Sequence, residues 1–213
     1  MKILVVAATK PEVARIFEDY GLADEDFVQT PKFDLLITGV GIAATAFALG
    51  RYLGQQYSLV LNVGIAGSFD RTLPLGSLVN ITSDIFAELG AENGDRFISI
   101  DQLGFGKSKY MASFMTKNPL ITNLLVVNGI TVNKVHGNLR SIALTLERLN
   151  VHTESMEGAA VFYACDQFHV PSLQVRSISN YIELRNKANW EIGLAITTLN
   201  NWLVDFLKLS FKS

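Results

Sequence analysis

The chain has one cysteine, Cys165, in 213 residues. No internal disulfide can form, and the simplest compartment for such a chain is a reducing cytoplasm. Its three histidines lie between His136 and His169, and with a single cysteine they offer no metal-ligand spacing, so no metal is expected. There is no run of 18 apolar residues for a membrane span. The apolar stretch Ile3–Ala8 meets Thr9-Lys10-Pro11-Glu12 and is too short for the core of a signal peptide. Neither sign of charge dominates: 18 basic residues face 20 acidic ones, which gives no electrostatic reason to expect nucleic acid or a membrane surface as partner. Internal repeats, low-complexity segments and linkers are also missing, so residues 1–213 are expected to form a single domain.

What is present is a hydrophobic content of 49%, enough for a sizeable core. Lys2–Ala7 is apolar and β-branched, which predicts a strand buried on both faces. Thr9 can cap the helix that follows, with Pro11 in its first turn and Glu12 as the acid of a capping box. Strands are predicted at Phe33–Thr38, Leu59–Val63, Leu78–Thr82, Leu124–Asn128, Ile130–Asn133 and Ser172–Ser179. Helices are predicted at Ala43–Leu53, Arg140–Leu149, Met156–Phe168 and Glu191–Leu207. The segment Phe86–Tyr110, rich in glycine and charge, reads as loops around short elements. This alternation predicts an α/β fold with a mostly parallel sheet covered on both faces.

Ligands of such sheets sit at the carboxyl ends of the strands. Thr9–Glu12, Gly39–Gly41, Asn62–Gly67 and Ser179-Asn180 fall there, and Ser155-Met156-Glu157-Gly158-Ala159-Ala160 opens a helix. Gly39-Val40-Gly41-Ile42-Ala43-Ala44 fits a dinucleotide fingerprint. It follows the second strand rather than the first, and the acid expected about 20 residues on is missing. Glycines that permit a tight strand-to-helix turn are the better reading. Glu157 puts a charge into an apolar helix, either as an acid favoured by the helix N-terminus or as a functional group. Glu12 has the same two readings. Cys165 reads as a small buried residue, and His136 and His169 have no visible partner acid.

In order along the chain, Asn62-Val63-Gly64-Ile65-Ala66-Gly67, Ser155-Met156-Glu157-Gly158-Ala159-Ala160 and Arg176-Ser177-Ile178-Ser179-Asn180-Tyr181 resemble the nucleoside phosphorylase and nucleosidase superfamily. Within it they are most similar to the nucleosidase branch and to the futalosine hydrolases, as is Asp84-Ile85-Phe86-Ala87-Glu88-Leu89-Gly90-Ala91-Glu92. The resemblance runs from Met1 to about Leu199. It implies a three-layer α/β/α fold with a central twisted sheet, a homodimer, no cofactor and a purine nucleoside as the small-molecule partner. Position by position, it implies that Glu12 activates water. Met156 and Glu157 would bind the ribose, Asn180 would hydrogen-bond the purine, and Val135 and His136 would lie near the purine. Ile65, with Asn62, falls where phosphorylases keep an arginine and a serine for phosphate.

Neither Asn62 nor Ile65 can neutralise a phosphate dianion, so water is the expected nucleophile. Adenine-specific relatives carry aspartate where this chain has Asn180, and an amide donor suits the acceptors N7 and O6 of a 6-oxopurine. These readings agree with the activity that the resemblance to the futalosine hydrolases implies, hydrolysis of futalosine to hypoxanthine and dehypoxanthine futalosine. The alternatives are a methylthioadenosine/S-adenosylhomocysteine-type or other purine nucleosidase, and a non-catalytic nucleoside-binding module. The presence of both Glu12 and Glu157 argues against the last.

Overall fold

A computed structural model describes residues 2–211. Strand β1 (Ile3–Ala7) leads through a 3-10 turn (Lys10–Val13) into α1 (Ala14–Tyr20). Then follow β2 (Phe27–Gln29), β3 (Phe33–Ile37), α2 (Ile42–Tyr52), β4 (Leu59–Ser68) and β5 (Leu78–Phe86). The glycine-rich segment forms a hairpin of β6 (Gly90–Asn93) and β7 (Arg96–Ser99), then α3 (Ile100–Leu103) and β8 (Lys109–Met111). The remaining elements are α4 (Pro119–Thr122), β9 (Leu125–Thr131), α5 (Leu139–Arg148), β10 (Thr153–Ser155), α6 (Gly158–Phe168), β11 (Ser172–Tyr181) and α7 (Ile192–Ser210).

The main sheet runs in the order β10-β9-β5-β11-β4-β1-β3-β2, with β8 beside β5. Most neighbours are parallel; β11–β5, β2–β3 and β5–β8 are antiparallel. Alternate residues of β1 explain why its sequence is apolar throughout. Ile3, Val5 and Ala7 pack with Leu199, Leu203 and Phe206 of α7 on one face. Leu4 and Val6 pack with Leu49 of α2 and Val161 and Cys165 of α6 on the other. The three-layer α/β/α arrangement follows directly, since a strand covered on both faces has no polar side to show.

Three differences from the sequence expectation bear on the site. The strand predicted to stop at Val63 continues through Gly64–Gly67 to Ser68, because these glycines serve close approaches rather than a turn. The two strands predicted around Gly129 are one: Gly129 sits inside β9, where a Cβ would lie 3.2 Å from both Asp84 Oδ2 and Thr153 Oγ1. The helix predicted from Met156 begins at Gly158, with Glu157 as its N-cap residue.

The sheet also closes on itself. Thr153 and Glu154 of β10 pair with Gly129 and Ile130 of β9 on one side and, antiparallel, with Ser68 and Gly67 of β4 on the other. Strands β4, β11, β5, β9 and β10 therefore form a ring. This closure carries Glu154 to the end of β4, where the candidate site lies.

Candidate active site

A cleft of about 320 Å³ opens at the carboxyl ends of β1, β4 and β11 and beside the first turn of α6. All seven residues singled out from the sequence line it: Glu12, Ile65, Val135, His136, Met156, Glu157 and Asn180. Ser155, Ser179, Glu154, Arg185 and Trp190 line it as well.

Glu12 is buried, and its position is set by local chain geometry. Its Oε2 accepts from the Thr9 N–H and the Thr9 hydroxyl, both at 2.9 Å, and its Oε1 accepts from the Ile65 N–H at 3.1 Å. The capping role and a place in the cleft therefore coexist. Glu157 is also buried, and its Oε1 accepts from the Gly41 N–H at 3.0 Å. Gly39 and Gly41 have φ of 81° and 97°, the left-handed region where glycine is favoured. The Gly-x-Gly turn thus presents an N–H at the start of α2 to a carboxylate of the protein itself. Burial pushes the Glu157 carboxyl up; Arg176 and the Gly41 hydrogen bond pull it down, and the charge of Glu12 pushes it up again.

The sequence reading missed the role of Arg176, which it quoted only inside a motif. Arg176 is 1% exposed, and its Nε and Nη2 have no protein hydrogen-bond partner. Its Nη1 and Glu12 Oε1 lie 2.0 and 2.8 Å from the point where a Cβ on Gly64 would sit. Gly64 is therefore the residue that lets the guanidinium pass over β4 toward Glu12. A buried arginine with free donors is rare, and such groups concentrate at functional sites. Its signal in the sequence was a single charge inside the otherwise uncharged strand Ser172–Tyr181.

Asn180 owes its direction to a bulge. Ile178 pairs with Ala66 and Asn180 with Gly67, so Ser179 has no partner on β4. In a regular strand, neighbouring side chains face opposite ways; here Ser179 and Asn180 both line the cleft. The Ser179 hydroxyl donates to Asn180 Oδ1 at 2.9 Å, and Asn180 Nδ2 donates to the Tyr181 carbonyl at 3.1 Å. One amide hydrogen remains for a ligand, not the two that the free side chain offers.

His136 corrects the sequence reading, which found no partner acid for it. The His136 N–H donates to Glu154 Oε1 at 2.9 Å, its Nδ1 contacts Glu154 Oε2, and its Nε2 lies 2.9 Å from Thr145 Oγ1. Glu154 is buried, in the residue before the Ser155–Ala160 motif, and nothing in its sequence setting marked it. His169, by contrast, is the left-handed C-cap of α6, and Cys165 is buried in the core with its thiol pushed up to about 12. Neither lines the cleft.

The phosphate question can be read from contacts. Asn62 is buried and turns its amide to Gln174 Oε1 at 3.2 Å, while Ile65 offers the cleft an apolar side chain and gives its N–H to Glu12. Lys10 forms ion pairs with Asp24 and Asp26. Among the described residues no cluster of His, Cys, Asp and Glu is arranged to hold a metal ion, and no helix is long and apolar enough to cross a membrane.

The Phosphorylase superfamily model matches residues 2–209. The chain belongs to this superfamily. It is 34% identical over 182 residues to the futalosine hydrolase of Streptomyces coelicolor, covering 79% of this chain and 76% of that protein. It is 28% identical to the 5′-methylthioadenosine/S-adenosylhomocysteine nucleosidase of Shewanella loihica over 84% of this chain and 86% of that one. The solved structure of futalosine hydrolase from Helicobacter pylori superposes with a TM-score of 0.82 at 18% identity, covering 98% of each chain, which establishes the shared fold.

Proposed function

We propose that the protein is a futalosine hydrolase: it cleaves the N-glycosidic bond of futalosine with water, releasing hypoxanthine and dehypoxanthine futalosine within menaquinone biosynthesis. The observation that carries this reading is the meeting of Glu12, Glu157 and Asn180, from three distant parts of the chain, in one cleft. The 34% identity to a futalosine hydrolase supports the choice of substrate.

In this reading the purine lies toward Asn180, Val135 and His136, and the ribose lies over Met156. Glu157 accepts hydrogen bonds from the sugar hydroxyls. Water attacks C1′ as the C1′–N9 bond breaks; the bonding pair leaves with the purine, and Glu12 takes a proton from the water. Arg176 supplies the positive charge that keeps two buried carboxylates tolerable side by side. The remaining Asn180 N–H stabilises charge on the departing base. Each of these groups is worth on the order of 2–4 kcal/mol in the barrier.

We also assign the protein to the cytoplasm as a homodimer. An apolar surface on α2, α6 and the Phe86–Tyr110 segment supports the dimer: Phe105 is 82% exposed beside half-exposed Tyr163 and Leu89, and Phe47 of α2 is 69% exposed. Light scattering tests the dimer. For the activity, the protein is incubated with futalosine, inosine and methylthioadenosine, with and without phosphate, and the released base is identified. Phosphate-independent release of hypoxanthine from futalosine is expected. Absolute dependence on phosphate, or accumulation of a sugar 1-phosphate, overturns the hydrolase assignment.

A further inference from the structure

Gly67 of β4 is flanked in register by two polar residues. On one side it pairs with Asn180 of β11, and on the other with Glu154 of β10. The three residues form a row across the sheet, and both outer side chains line the cleft. Adjacent strands lie about 4.8 Å apart, so the outer two backbones are separated by roughly 10 Å. Gly67 contributes no side chain between them. A Cβ there would come within 3.2 Å of Asn180 Nδ2 and 2.9 Å of Ile182 Cγ1. The row is a slot with an amide donor at one wall and a carboxylate at the other, of a width suited to the edge of a fused bicyclic base.

We infer that Glu154 is a specificity-determining residue that accepts a hydrogen bond from N1–H of a 6-oxopurine, while Asn180 donates at the N7/O6 end of the same edge. The inference rests on the purine-nucleoside reading of the cleft. Glu154 is suited to the task because its orientation is fixed. His136 directs both its main-chain N–H and its Nδ1 at the two carboxylate oxygens, and Thr145 Oγ1 steadies the far side of the ring at Nε2. Each oxygen takes one donor from His136, so each keeps a further lone pair for a ligand. A 6-oxopurine offers that wall an N–H. A 6-aminopurine offers it the N1 lone pair, and a buried carboxylate facing a lone pair has an unmet acceptor on both sides. His136 is then a positioning residue for Glu154, and the role of Asn180 is one half of a two-point reading.

The test compares kcat/KM for inosine, 1-methylinosine and adenosine in the wild type, Glu154→Gln and Asn180→Ala. It also measures calorimetric binding of free hypoxanthine and adenine, which needs no catalysis. The wild type is expected to favour inosine over both analogues by at least tenfold and to bind hypoxanthine more tightly than adenine. Glu154→Gln should narrow both preferences by tenfold or more, because a glutamine amide can present a donor to adenine N1. Asn180→Ala should weaken inosine and 1-methylinosine alike, leaving their ratio unchanged. A purely structural Glu154 would lower all substrates and both bases by the same factor, and that result overturns the inference. If the wild type cleaves none of the three nucleosides, futalosine decides the hydrolase reading, which fails if no hypoxanthine is released from it. The hypoxanthine-to-adenine binding ratio in wild type and Glu154→Gln still decides the role of Glu154.

Discussion

Gly64→Ala tests the arrangement of Arg176 and Glu12 more sharply than removal of either side chain. An alanine Cβ at this position would lie 2.0 Å from Arg176 Nη1, 2.8 Å from Glu12 Oε1 and 3.2 Å from Arg176 Cζ. The first two contacts are too short to survive, so the guanidinium and the carboxylate must both move. Gly64 does not have positive φ, and the backbone itself accepts alanine. The loss of unfolded-state freedom on replacing glycine favours the mutant by about 0.4–1 kcal/mol. Overpacking a closed interior costs about 1–3 kcal/mol, so the balance is a net destabilisation of roughly 1–2 kcal/mol. Activity should suffer more than stability, because a displacement of about 1 Å in a catalytic group can cost about a hundredfold in rate. Urea unfolding and kcat/KM are measured for Gly64→Ala, Arg176→Met and the double variant. Without the guanidinium the shortest contact disappears, so the stability penalty of Gly64→Ala should shrink by about 1 kcal/mol or more in the Arg176→Met background. Additivity within about 0.5 kcal/mol would mean that the two sites do not share this space, and the reasoning fails.

Glu12→Gln should lower kcat by about 10²–10⁴ with a much smaller change in substrate binding, since an amide keeps the shape but takes no proton from water; near-normal turnover would leave Glu12 only its structural bonds to Thr9 and Ile65. Asn180→Asp should reduce the preference for 6-oxopurine nucleosides about tenfold to a hundredfold, as one N–H donor becomes an acceptor facing O6, and unchanged specificity constants for inosine relative to adenosine would contradict this. Burial raises the Asp84 carboxyl from 3.8 to about 6, against the pull of Gln174, Thr131 and Arg176. Its contribution to stability is therefore fully present below about pH 4 and lost as pH rises through about 6, a change of about 3 kcal/mol. Asp84→Asn should flatten this part of the stability–pH curve in chemical denaturation, and an unaltered curve would refute the assignment.

The layers of the fold were legible because they depend on local pattern. An apolar β1, a capping residue at Thr9 and a Gly-x-Gly turn before α2 each declare themselves within a few residues. The cleft residues on strand ends and at the start of α6 were legible for a related reason, since the ends of elements are where an α/β sheet gathers its ligands. Glu154 and Arg176 depend on contacts that no local pattern encodes. Glu154 reaches the cleft only because β10 folds back to pair with β4, a closure that joins residues far apart in sequence. His136 looked partnerless for the same reason, its acid being supplied by another strand. Gly64 and Gly67 read as strand terminators because glycine most often marks a turn. Here each instead leaves room above β4, one for the Arg176 guanidinium and the other between Glu154 and Asn180.

The balance of charge gives a reason for water as nucleophile that does not rest on motif comparison. Glu12, Glu154 and Glu157 line the cleft with one exposed cation, Arg185, and Arg176 is the buried guanidinium set near Glu12 and Glu157. At an effective dielectric constant of about 20, a carboxylate about 5 Å from each unit of phosphate charge costs on the order of 3 kcal/mol per unit. A dianion brought to this site meets that cost more than once, whereas neutral water meets none of it. The same carboxylates favour a ribose that becomes cationic at C1′. Burial that pushes the Glu157 carboxyl up makes its charge expensive in the ground state, and a developing oxocarbenium beside it offsets that expense as the glycosidic bond breaks. The interaction strengthens along the reaction coordinate, which is the condition for it to raise kcat instead of only tightening substrate binding.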